Sequence, residues 1–174
     1  DREVNFGGQS LKDVAAVDYS SLLPALREKK IDIKLALNPF NILCGAQGVA
    51  HVFGPQKGAS PEQVQQLSQG LEHWANQLKK NHLNLIQNFD FAYAHGTGAS
   101  GGLGAGLAAI GAHLCPRFEV FLGQDLLGYD LDAHIERADL IITAEGALDC
   151  QTLRGKVPAV IARRAAKYHK PVVA

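Results

Sequence analysis

The clearest periodic pattern in the chain is SPEQVQQLSQGLEHWANQLKK, residues 60–80, where Val64, Leu67, Leu71, Trp74 and Leu78 recur at spacings of three and four. Those spacings place all five on one face of a helix, so Trp74 reads as core rather than as a ligand platform. Three signals mark the helix start: Ser60 as cap, Pro61 in the first turn and Gln63 three residues after the cap. His73 and His82 fall in or beside the polar face and are expected to be solvated. Elsewhere the patterns are shorter. IDIKLAL (31–37) alternates as a strand does, after a short helix over about 21–30 that ends in basic residues. FDFAYA (89–94), RFEVFLG (117–123), DLIITA (139–144) and the terminal KPVVA read as further strands. Helices are expected in GGLGAGLAAIGAHL (101–114), GYDLDAHIERA (128–138) and VPAVIARRAAKYH (157–169). Between 38 and 59, Asn, Pro and Gly recur too often for a long regular element. Strands alternating with helices of about ten residues predict an α/β fold with a mostly parallel sheet and flanking helices.

Composition narrows the class. Across 174 residues, 47% are hydrophobic and 20% charged, and 17 Lys+Arg balance 17 Asp+Glu. That balance offers nothing to attract nucleic acid or an anionic membrane. No apolar run approaches the roughly 20 residues of a membrane span and no basic-then-apolar leader opens the chain, so a cytoplasmic protein is expected. Cys44, Cys115 and Cys150 are odd in number and widely spaced, which supports neither a disulfide framework nor a zinc site. The chain lacks methionine, opens within polar sequence and stops directly after a strand-like segment, as an interior piece of a longer protein would.

Three loops carry candidate chemistry. The first, HGTGASGGLGAG (95–106), holds six glycines, and Gly96, Gly98 and Gly101 fit G-x-G-x-x-G between an expected strand and an expected helix. Glycines let backbone N–H groups approach an anion, so Gly96, Thr97, Gly98, Ser100, Gly101 and Gly102 are candidates for phosphate or substrate binding. A dinucleotide fold also asks for an acid at the end of the next strand, whereas Glu119 lies inside it and Asp125 beyond. A Walker A loop is not formed, because Gly155-Lys156 is followed by Val157. The bland alternative is a turn whose glycines only allow close packing.

In the second loop, EGALDCQTLRGKVP, an apolar strand delivers Glu145 and Asp149 beyond its carboxyl end, where open parallel sheets bind ligands. These two carboxylates could share a divalent metal, or one could accept a hydroxyl proton, with Gln151 and Thr152 as neutral partners. Lys156 stands at the start of the following helix, where the dipole disfavours a cation and a neighbouring anion would relieve it. The third loop, VFGPQKGA, sets Gln56 and Lys57 in a tight turn between Pro55 and Gly58. For both loops an ordinary solvated turn is the competing reading.

Taken in order, LCGAQGVAHVFGPQKGAS (43–60), HGTGASGGLGAGLAAIGA (95–112) and ADLIITAEGALDCQTLRGKVP (138–158) resemble the bacterial glycerate kinase family of two-domain enzymes. The resemblance runs from about residue 30 onward, and three long motifs in register are more specific than any one glycine pattern. It implies ATP-dependent phosphorylation of D-glycerate, with 2-phosphoglycerate the favoured product, ATP and Mg2+ as cofactors and a homodimer as an admissible assembly. It further implies that residues 1–130 form a central α/β portion with the glycine loop and that 131–174 begin the return into a Rossmann-like domain. Asp149, Lys156 and Glu145 would be catalytic, Asp149 and Glu145 would hold Mg2+, and Asn41 would join the binding residues. The chain departs from the family pattern at Asn38, where an aspartate is common, at Thr97 and Ser100, where small apolar residues are, and at Ala144, in place of glycine. The family's upstream Ser-Phe-Lys-Gly and G-G-S-A-T-x-D-G-G segments are not in this piece, which on its own is expected to be inactive. A nicotinamide-dependent oxidoreductase built on the G-x-G-x-x-G turn and a non-catalytic α/β module are the rival readings.

Overall fold

In the computed structural model of the chain, residues 3–81, 83, 85–122, 130–148, 152–154 and 156–174 are described, without the side chains of 119, 121, 122 and 154. The chain forms two compact units, Asp1–Cys115 and Pro116–Ala174. It is a mixed α/β protein of helices and short strands. Among the described residues, no helix is long and apolar enough to cross a membrane.

The first unit is organised by one long helix. After α1 (Pro24–Arg27), β1 (Lys34–Leu37) and α2 (Val49–Phe53), the chain enters α3 (Pro61–Asn81). Ser60 and Gln63 cap α3 reciprocally: the Ser60 N–H donates to Gln63 Oε1 at 2.8 Å and the Gln63 N–H donates to Ser60 Oγ at 3.3 Å. The apolar stripe is the packed face, with Val64, Leu71 and Leu78 buried and Leu67 and Trp74 half-buried against the core. A 3-10 segment, Gly8–Asp13, lies along α3 and is held in part by His73. The His73 ring was expected in solvent; instead Nε2 donates to the Val14 carbonyl at 2.7 Å. The helical period alone does not show that another segment crosses this flank of α3.

The core of this unit joins Leu71, Ala75 and Leu78 of α3 to Leu43, Cys44, Val49, Ala50 and Phe91, and to the alanines of α4 (Leu103–Ala109). Alanine and glycine make α4 thin enough to approach α3 closely. The expected helix over 101–114 is thereby shortened at both ends: Gly102 opens it with φ 112°, and β2 (His113–Pro116) follows it. β2 pairs with β1.

FDFAYA is not a strand. Asp90 Oδ1 accepts the N–H groups of Ala92 and Tyr93 at 3.0 and 3.1 Å, and the Ala94 N–H closes onto the Asp90 carbonyl at 3.0 Å. A side chain that captures the next amides offers the backbone an alternative to a sheet ladder, and here that alternative prevails. Phe89 and Phe91 pack edge to face, with centroids 5.0 Å apart.

In the second unit RFEVFLG is also not a strand, since Arg117–Leu122 forms helix α5. The sheet position is taken four residues earlier by β2, and a helical turn starts immediately after Pro116. α6 (Leu131–Arg137) is capped by Asp130, whose Oδ1 accepts the Ala133 N–H at 3.0 Å. Next come β3 (Ile141–Ile142), α7 (Val157–Lys167) and β4 (Val172–Val173). β3 and β4 pair in parallel, Ile141 with Val172 and Ile142 with Val173. A parallel pair requires a crossover, and α7 supplies it. α7 packs on α6, where Arg164 meets Asp132 at 3.2 Å, and it buries Ala165.

Candidate functional site

In the first unit, the glycine stretch folds as a chain of turns rather than as a strand-to-helix loop. The N–H groups of Gly98, Ala99, Gly101 and Gly102 donate to the carbonyls of Asn41, Gly96, Gly98 and Ala99, at 3.0, 3.0, 3.1 and 3.2 Å. These amides stabilise the turn itself. With 89–94 also in turns, the strand that a dinucleotide fingerprint needs in front of its glycines is not there.

Gly98 is the residue for which close approach is decisive. A Cβ there would lie 2.2 Å from the Ile42 carbonyl oxygen and 2.5 Å from Val49 Cγ1. The glycine therefore lets the 96–98 turn press on the 41–43 segment. Ser100 adopts φ 50°, ψ 40°, a left-handed conformation that non-glycine residues seldom take. Ser100 and Gly101 form the exposed tip, while Gly96, Thr97, Gly98, Ala99 and Gly102 are buried behind it.

This packing opens two clefts. The larger, about 460 Å³, has an apolar wall that includes Leu11, Val49, Phe53, Leu67 and Leu71, and it also carries Asn41, Lys57, Gly98, Ser100 and Gly101. The smaller, about 220 Å³, is lined by Leu35 to Asn38, Asn41, Ala99, Ser100, Leu103 and Gly104. Asn41 and Ser100 line both clefts and so form their common wall. Lys57 closes the 3-10 turn Pro55–Lys57, with Gly58 at φ 87° behind it, and it is exposed. Gln56 is exposed on the same turn and is not a lining residue of either cleft.

Five of the residues singled out from sequence are thus brought together: Asn41, Lys57, Gly98, Ser100 and Gly101. Gly96, Thr97 and Gly102 support them from the interior. The sequence reading missed Leu11, Phe53 and the Leu35–Leu37 strand as cleft walls. Leu11 lies outside the three motifs and Phe53 sits within the VFGPQKGA loop as an apolar residue with no polar chemistry to mark it, and only the 3.6-residue stripe of α3 hints that a further apolar segment covers it.

In the second unit, Lys156 is the N-cap residue of α7 and its Nζ lies 3.2 Å from Glu145 Oε1, with each side chain about a quarter exposed. The anion expected to offset the helix dipole at Lys156 is therefore supplied within the chain. Thr152 is buried, and its carbonyl accepts the Lys156 N–H at 3.2 Å. Asp149 and Gln151 lie outside the described residues. Among the described residues, no group of three or more His, Cys, Asp or Glu side chains could hold a metal ion.

Cys44 is buried in the core cluster with Leu43, Val49 and Leu71, where desolvation, with smaller contributions from the charges of Glu72 and Asp90, pushes its thiol up to about 11. At neutral pH it is a small apolar residue of the core rather than a nucleophile.

The sequence model of the glycerate kinase family matches residues 1–174. The chain is 39% identical over 172 residues to the glycerate 2-kinase of Escherichia coli (strain K12), an alignment that covers 98% of this chain and 42% of that protein. It is 35% identical over 176 residues to the glycerate kinase of Haemophilus influenzae, covering 100% and 43% respectively. A crystal structure from Salmonella typhimurium LT2, assigned as a glycerate kinase 2, superimposes with a TM-score of 0.69 at 38% identity over 98% of this chain and 43% of that one. The chain therefore spans about two fifths of the length of these relatives. With the family model matched from end to end and the three loops in the expected order, the chain belongs to the glycerate kinase family.

Proposed function

We propose that the full-length protein transfers the γ-phosphoryl group of ATP to a hydroxyl of D-glycerate, with 2-phosphoglycerate as product. The observation that carries this reading is the pair of clefts sharing a wall at Asn41 and Ser100 in a chain of this family. Phosphoryl transfer asks a protein for position and charge more than for covalent chemistry, and two substrates held on either side of one wall meet that need.

The larger cleft falls in the size range of small-molecule sites, and its character divides as a nucleotide's does. Leu11, Val49, Phe53, Leu67 and Leu71 suit a base, and Lys57 suits the phosphates. The smaller cleft has room for a three-carbon hydroxy acid, with Asn38, Asn41 and Ser100 as its hydrogen-bonding side chains. In the reaction the glycerate hydroxyl oxygen forms a bond to the γ-phosphorus while the bond from that phosphorus to the β,γ-bridging oxygen breaks. ADP leaves, and the hydroxyl proton passes to a base, for which we assign Asp149, with Glu145 second. Mg2+ enters with ATP as part of the substrate and neutralises phosphate charge. Lys57 and Lys156 are assigned to offset developing charge.

The test is ADP release by the full-length protein in ATP–Mg2+ with D-glycerate, with the product's position read by 31P NMR. Glycerate-dependent ADP and a 2-phosphate resonance are expected; no glycerate-dependent turnover would overturn the reading. Lys156→Ala or Asp149→Asn turning over at the wild-type rate would remove those two assignments. Thermal stabilisation by NADH and not by ATP–Mg2+ would favour the oxidoreductase instead.

A further inference from the structure

Thr97 is set among glycines that suggest ligand contact, yet its side chain is 0% exposed. Both capacities of its hydroxyl are used inside the protein. Oγ1 donates to the Ala94 carbonyl at 2.8 Å and accepts the Leu43 N–H at 3.1 Å. One residue further, the Gly98 N–H donates to the Asn41 carbonyl at 3.0 Å. The 41–43 segment is therefore held against 97–98 by two bonds, one through a side chain and one through the backbone. Gly98 sets the separation, because no Cβ fits between the segments. Asn41 stands at one end of this clip and Ser100 just beyond the other, and these are the two polar side chains common to both clefts.

We propose that Thr97 is a positioning residue: without touching either substrate, its hydroxyl holds in register the wall that separates the nucleotide cleft from the glycerate cleft. The assignment rests on the kinase reading of those clefts. Removing the hydroxyl leaves the buried Leu43 N–H without this partner, while the Ala94 carbonyl keeps the Thr97 N–H at 3.2 Å, and the Leu43 amide recovers a partner only by shifting the segment that carries it. Any such shift moves Asn41 relative to Ser100, so both clefts change together. A residue on one cleft alone, such as Lys57, has no such double effect.

The experiment compares wild type, Thr97→Ser, Thr97→Cys, Thr97→Val and Lys57→Ala in the full-length protein. Serine keeps the hydroxyl, cysteine offers only a weak donor and acceptor, and valine offers neither. In Thr97→Val the KM values for ATP and for glycerate are expected to rise together, each by about tenfold. Thr97→Ser stays within about twofold of wild type, Thr97→Cys falls between, and Lys57→Ala raises KM for ATP alone. Amide hydrogen exchange supplies a readout independent of turnover. The Leu43 N–H loses protection in Thr97→Val, whereas the Cys44 N–H, which donates to the Ala92 carbonyl at 3.0 Å, keeps its own. Folded Thr97→Val with either KM unchanged, or with Leu43 as protected as in wild type, overturns the assignment. If Thr97→Val does not fold, Thr97→Cys decides by the same criteria. A wild-type protein with no glycerate-dependent turnover would refute the kinase reading, while Leu43 exchange would still accept or reject the clip.

Discussion

Gly98 and Gly106 lie eight residues apart in one glycine-rich stretch, and the same substitution at the two is expected to act with opposite sign. Alanine at 98 places a Cβ 2.2 Å from the Ile42 carbonyl oxygen. That oxygen cannot withdraw without cost, because it accepts the Val49 N–H at 3.1 Å and its segment is bonded to Gly98 through Asn41. Overpacking typically costs about 1–3 kcal/mol, and contact with fixed backbone on one side and Val49 on the other puts Gly98→Ala at about 3 kcal/mol. Gly106 lies within α4, and a Cβ there meets nothing within 4 Å. Alanine at 106 gives up only the conformational freedom that glycine has in the unfolded chain, a gain of about 0.5–1 kcal/mol. The two variants should therefore differ by about 4 kcal/mol although each adds one methyl group. Urea unfolding of the full-length protein followed through Trp74, which packs on the same core, measures the difference from midpoints at unchanged slope. Equal midpoint shifts in the two variants, or a neutral Gly98→Ala, would refute the claim that packing rather than ligand contact requires the glycine at 98.

Ser60→Ala removes one half of the reciprocal cap of α3 and should cost about 1 kcal/mol in the same unfolding experiment. Asp90→Ala frees two amides of the turn that replaces the expected strand, with a loss of about 1 kcal/mol and faster exchange at Ala92 and Tyr93. Cys44 should resist thiol reagents at pH 8 in the native state and react on unfolding. Its folded value is raised from 9.0 to about 11, so the native state holds a proton that the unfolded state releases between these values. The Cys44 contribution is therefore fully present below pH 9 and lost as pH rises toward 11, and substitution by alanine should flatten that part of the stability profile.

The long helix is legible from its own residues. α3 carries its whole description within a few residues: a cap, a proline, a glutamine three positions later and an apolar stripe. Its hydrogen bonds and side-chain neighbours lie three or four residues apart, within the range that periodicity measures. Cleft residues Asn41, Lys57, Ser100 and Gly101 were likewise marked by loop chemistry that is legible as sequence. Hydrophobic pattern fails where a nonlocal or side-chain interaction outranks it. Asp90 turned an apolar run into a chain of turns, and the Val14 carbonyl took His73 out of solvent.

The amino-acid order by itself determined the long helix, the mixed α/β class, and the three loops in which polar chemistry collects. Tertiary structure alone decided what each loop residue does. It turned Thr97 inward onto Leu43, 54 residues away, gave Gly98 the task of clearing the Ile42 carbonyl, and left Ser100 and Asn41 on a wall between two clefts. The reason is physical: a hydroxyl or a glycine is equally suited to a ligand and to a neighbouring strand of backbone, and only the packed chain brings one of them within 3 Å.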